Sequence, residues 1–99
     1  MAAIRWTLEA ETWLKDIHDY IALDNKFAAS RVITGIYQKA QVLTMFPDIG
    51  YIYRSEEEGE ISILLYGHYR IAYLRRIDQD FIDILGVFHG ALNIDRYLP

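Results

Sequence analysis

The spacing of apolar residues divides the chain into two helical stretches followed by strand-like runs. Ala10, Trp13, Leu14, Ile17, Tyr20 and Ile21 recur at intervals of three and four, which predicts an amphipathic helix over residues 8–22. Thr7 stands where an N-cap belongs, and Glu9 and Glu11 fall in the first turn, where the helix dipole favours carboxylates. Glu11–Lys15 and Lys15–Asp19 are (i, i+4) pairs on the wet face, worth roughly 0.2–0.5 kcal/mol each. A second helix starts at Asp24 or Asn25, with Ala29, Val32, Ile33, Ile36, Ala40 and Leu43 as its buried stripe. Pro47 ends it by disfavouring helical geometry at Phe46. Ahead of both helices, "AIRW" at residues 3–6 reads as a short strand.

After a "PDIG" turn and a charged "SEEEGE" loop the pattern changes. "EISILLY", "YRIAYLRRI" and "FIDILGVFH" are rich in Ile, Leu, Tyr and Phe and are separated by "GH" and "DQD". Such short connections imply an antiparallel meander, and a helical hairpin with one apolar face belongs on one side of it. The expected fold is therefore α+β: a strand, a two-helix hairpin packed on a small antiparallel sheet, and a short C-terminal segment. If Asp78 and Gln79 form a two-residue loop, Arg70 lies opposite Val87 and shares a face with His89, while His68 lies opposite His89. A three-residue loop puts Arg70 and His89 on opposite faces, because one step of register turns every side chain over. The apolar set Ile71, Tyr73, Ile84 and Phe88 favours the two-residue loop, with those four facing the helices.

Composition narrows the function more than the fold. Hydrophobic residues make up 53% of the 99 and charged residues 24%, a globular rather than a disordered balance, consistent with one domain over residues 1–99. No apolar run approaches a membrane span, and "MAAIRW" lacks the pattern of a signal peptide, so a cytoplasmic location is expected. The chain has no cysteine, which excludes disulfides and thiolate metal sites. A net charge of −4 argues against a protein that holds nucleic acid non-specifically through a basic face. His18, His68 and His89 lack the spacing of a zinc motif, so no metal or other cofactor is expected, and the serines lack a nucleophile-elbow context, so hydrolase chemistry finds no support. "EEEGE" reads as a solvated hairpin or loop.

Four stretches taken in order carry a resemblance. They are "LEAETWLKDIHDYIALDNKFAAS", "LTMFPDIGYIYR", "YGHYRIAYLRR" and "ILGVFHGALNIDRYL". Together they resemble the RelE/ParE toxin superfamily, the toxin halves of bacterial type II toxin–antitoxin pairs, which include plasmid stabilisation proteins. The resemblance implies the same strand, helical hairpin and antiparallel sheet. It also implies growth inhibition, a small cognate antitoxin as partner, and contact with operator DNA only through that antitoxin.

The superfamily divides by target. RelE-like members are metal-independent endoribonucleases that cut mRNA on the ribosome; ParE-like members poison DNA gyrase. In the nuclease reading Arg70 matches the arginine that steadies the phosphate, where a guanidinium engages two oxygens as charge develops. His89 then matches the general acid at a strand end, its ordinary pKa near 6.5 suiting proton transfer. Arg54, Tyr69, Arg75 and Arg76 are the accompanying candidates for binding a target or partner. Yet "EISILLY" lacks the lysines of RelE-type sites, and the acidic Glu56, Glu57, Glu58 and Glu60 would repel an RNA backbone. The sequence thus favours the ParE-like, gyrase-directed branch, with the ribosome-dependent nuclease as the alternative. A member that only binds its antitoxin and co-regulates the operon is the third reading.

Overall fold

A computed structural model describes residues 2–76 and 78–98. Strand β1 (Ala3–Trp6) leads into helix α1 (Leu8–Ala22), and α2 (Lys26–Gln41) folds back beside it. Thr7 caps α1 by accepting from the Ala10 N–H, and Asn25 caps α2 by accepting from Ala28. The second helix is shorter than its apolar pattern predicts: it stops at Gln41 and tightens into a 3-10 turn over Val42–Thr44. Pro47 therefore sets a limit the helix never reaches. On the wet face Lys15 pairs with Asp19 at 2.9 Å as expected. Glu11 does something else, accepting a 2.8 Å hydrogen bond from the Tyr37 hydroxyl on α2.

Four further strands follow: β2 (Tyr51–Ser55), β3 (Gly59–Tyr66), β4 (Tyr69–Arg76) and β5 (Phe81–His89). The sheet order is β1-β5-β4-β3-β2. The last three strands match the apolar runs read from the sequence, although Ile77, expected to end β4, lies outside the described residues. Two features were not legible. "YIYRS" forms an edge strand antiparallel to β3, which makes "SEEEGE" the tip of a hairpin, one of the two forms expected for it. Strand β1 joins the far edge parallel to β5, from Ala3 against Phe81 to Trp6 against Ile84.

The sheet buries both faces. On one, Ala10 and Leu14 of α1 and Ile36, Ala40 and Leu43 of α2 and its 3-10 extension pack on Leu64, Ile71, Tyr73, Ile82, Ile84 and Val87. On the other, Ile61, Ile63, Ala72, Leu74 and Phe88 are covered by Ile94 and Leu98 of the C-terminal segment. Trp13 of α1 packs against this second cluster, edge-on to Phe88 at 4.8 Å and to Tyr97 at 5.0 Å.

Candidate functional site

How Arg70 and His89 sit relative to each other depends on the pairing of β4 with β5. Next to the turn the partners are Arg75–Ile82, Leu74–Asp83 and Tyr73–Ile84, the register of a two-residue loop at Asp78 and Gln79. The ladder then slips by one residue. Beyond the slip Ala72 faces Gly86, Ile71 faces Val87, Arg70 faces Phe88 and Tyr69 faces His89. Leu85 is the extra residue of a β-bulge, and the glycine after it fits the preference for glycine where a strand bulges or another group approaches closely. A side chain at Gly86 would strike the ring of Phe88.

This bulge corrects the expected arrangement in three places. Arg70 lies opposite Phe88 rather than Val87, and it points to the face opposite His89. The residue facing His89 is Tyr69, not His68, although the two imidazoles still stack with centroids 6.2 Å apart. Val87, not Phe88, completes the helix-facing layer with Ile71, Tyr73 and Ile84. A one-residue insertion is sufficient for all three, since partners in a ladder share a face and successive residues alternate.

On the helix side, exposed His89 lines a groove of ≈ 500 Å³ with Trp13, Asp16, Ile17, Tyr20 and Tyr69 among its neighbours. The Tyr69 ring stands edge-on to the imidazole at 5.8 Å. The Ala91 N–H donates to Nδ1 of His89 at 3.2 Å, which leaves the proton of a neutral ring on Nε2. The groove wall is mostly apolar, formed by the α1 stripe that the helical spacing of Trp13 and Tyr20 identified.

On the other side, half-buried Arg70 lies beneath the C-terminal segment. Its Nη2 donates to the Leu92 carbonyl at 2.6 Å and to the Gly90 carbonyl at 3.4 Å, while Nε is buried without an acceptor among the described residues. Tyr53 of β2 adds a second tie by donating to Asp95. The guanidinium that a phosphate would need is thus engaged with backbone carbonyls.

The other cationic candidates each have an acidic partner. Arg54 pairs with Glu56 at 2.6 Å, and Arg75 pairs with Asp48. Arg76 binds Asp83 at 2.8 Å, and Arg5 of β1 binds the same carboxylate at 2.8 Å. Among the described residues Arg70 makes no pair with this carboxylate. The sequence signal for the Arg5–Asp83–Arg76 cluster was an aspartate within an apolar strand, and only the parallel pairing of β1 supplies Arg5.

Two helices laid on a five-strand, mostly antiparallel sheet define an α+β fold shared with toxin–antitoxin complexes. One solved relative is the chromosomal ParDE system from P. aeruginosa, with TM-score 0.70 and 23% identity over 90% of this chain and 96% of that one. Another is the RelBE2 toxin–antitoxin complex from Mycobacterium tuberculosis, with TM-score 0.67 and 22% identity over 89% and 96%. Curated protein sequences gave no match. The family model for the ParE toxin of the parDE type II toxin–antitoxin system matches residues 4–93. This chain belongs to the ParE toxin family. Among the described residues no helix is long and apolar enough to cross a membrane.

Proposed function

We propose that this chain arrests growth in the ParE-like manner, by binding DNA gyrase rather than by cutting RNA, and that a small cognate antitoxin neutralises it. The observation that carries this reading is the separation of Arg70 and His89 by the thickness of the sheet. Cleavage by an attacking ribose 2′-hydroxyl needs a proton donor at the leaving 5′-oxygen and a cation at the same phosphate. Both must come within about 3 Å of neighbouring atoms. Here the imidazole opens toward α1 and the guanidinium is hydrogen-bonded to Leu92 on the reverse face. The absence of lysine from β3 supports the same reading.

The test compares wild type with His89→Gln. The expected result on induction is growth arrest with a raised DNA-damage response, inhibition of gyrase supercoiling by the purified chain, and no new mRNA ends. His89→Gln should arrest growth like wild type. Ribosome-dependent mRNA cuts that vanish in His89→Gln would establish the nuclease instead. A chain that binds its antitoxin yet inhibits neither growth nor gyrase would be a regulatory member only.

A further inference from the structure

Strand β2 forms one outer edge of the sheet. Its ladder with β3 fixes which backbone groups are used. Glu56 and Gly59 exchange both hydrogen bonds across the hairpin, at 2.7 and 3.3 Å, so Ile61 and Ile63 also turn their N–H and C=O toward β2. Tyr51, opposite Ile63, is therefore paired inward. Ile52, opposite Ser62, directs its N–H and C=O away from the sheet. The bulge at Tyr53 ends this regular stretch before Arg54.

Proteins usually guard such an edge with a charge, a proline or a covering segment. The opposite edge, β1, carries Arg5, and the second half of β2 carries Arg54. Residues 49–53, "IGYIY", have no charge and no proline. Ile49, Tyr51 and Ile52 are 50%, 48% and 59% exposed, and Leu65 on β3 is 56% exposed. Ile49, Tyr51 and Leu65 line one depression of ≈ 310 Å³. These four side chains leave roughly 400–500 Å² of apolar surface open, about the apolar share of the ≈ 800 Å² that each partner brings to a standard interface.

Charge says what can cover it. The chain carries −4, so a second copy is repelled wherever unpaired carboxylates meet. Along α1, Asp16 and Asp24 have no ion pair among the described residues. At the β2 edge Asp48 is already neutralised by Arg75, and Lys39 is the charged residue lining the depression. This is the apolar surface on which two acidic chains can meet.

We propose that two copies of this chain pair antiparallel through the first half of β2, about a two-fold axis at Ile52, so that their sheets join. Each Ile52 N–H donates to the Ile52 carbonyl of the second copy, and the two isoleucine side chains pack on the helix-facing side. Such a contact is self-complementary and closes at two copies. The proposal concerns assembly of the free chain and holds whichever target the chain acts on.

The test is sedimentation of the purified chain over micromolar concentrations. Wild type should pass from monomer to dimer, and Ile52→Lys, which sets like charges opposite each other, should weaken dimerisation about 10-fold or more. Glu57→Lys at the exposed hairpin tip should stay within about 2-fold. Ile52 and Glu57 are both exposed, so circular dichroism of both variants should match wild type. A second measurement uses the absence of cysteine from the chain. Paired Cα atoms across such a ladder lie about 5.5 Å apart, within disulfide reach. Mild oxidation should therefore cross-link Ile52→Cys into a dimer and leave Glu57→Cys a monomer. A wild type that stays monomeric, a dimer that Ile52→Lys leaves intact, or equal cross-linking at both positions overturns the proposal. So does an Ile52→Lys chain that self-associates normally but no longer inhibits gyrase, which would give this edge to the target.

Discussion

Among single side chains, Asp83 shows how strongly tertiary structure can alter a residue's role. It is a buried carboxylate on an apolar strand, held by Arg5 and Arg76, with the Arg5 guanidinium also stacked 4.3 Å over the Phe81 ring. Burial pushes its pKa upward, but hydrogen bonds from the two arginines outweigh burial and hold the carboxyl below its ordinary 3.8. The stability this contributes is present above that value and is lost as the pH falls through the lower folded value. Asp83→Asn should cost about 1–3 kcal/mol at neutral pH, the range for losing charged hydrogen bonds with no buried cation left behind. Urea titrations at pH 7 and pH 3 check this: the gap between wild type and variant should narrow at the lower pH.

At the level of elements, the contact of α2 with the sheet depends on a residue that the helical pattern passed over. Gly35 lies in the middle of α2, and a side chain there would collide with the Tyr66 hydroxyl and ring carbon at the end of β3. Helix propensity alone makes Gly35→Ala stabilising by about 1 kcal/mol. Overpacking against Tyr66 should reverse the sign, to a net loss of roughly 1–3 kcal/mol. In a Tyr66→Ala background the same change should become neutral or stabilising, and a double-mutant cycle in urea measures the coupling. One position further on, fully buried Ile36 should lose about 2–5 kcal/mol on truncation to Ala. Half-exposed Lys39 should tolerate Ala within roughly 0.5 kcal/mol. Equal losses at Ile36 and Lys39 would contradict the observed packing of α2.

For the molecule as a whole, the C-terminal segment is the cover of the second sheet face. Ile94 and Leu98 are buried on Ile61, Ile63 and Phe88, and Arg70 and Tyr53 tie the segment down. A chain ending at Leu92 would lose two buried apolar side chains, each worth about 1.5–3 kcal/mol. That is a large share of a typical stability of about 5–15 kcal/mol. The truncated chain should unfold at markedly lower urea and bind a hydrophobic dye, while the groove on the opposite face keeps its α1 wall. A truncation with unchanged unfolding would show that the second face needs no cover.

The helices, the last three strands and the α+β class were legible because periodicity is local: a residue three or four positions away, or two, shares its face whatever the rest of the chain does. The Ile36 stripe was read on that basis and Thr7 and Asn25 from capping chemistry, whereas Arg70 and His89 drew their candidate roles from the family resemblance. Strand β2 was not legible, since "YIYRS" does not alternate cleanly and becomes a strand through its pairing with β3. The side on which Arg70 and His89 sit was decided by one bulged residue, Leu85, whose cost and benefit come from neighbours distant in sequence. The Asp83 cluster depended likewise on β1 crossing to the far edge to bring Arg5, 78 positions away, to the carboxylate. Sequence determined which side chains were available; non-local pairing decided which of them share a face, because register turns on the energies of contacts no local pattern contains.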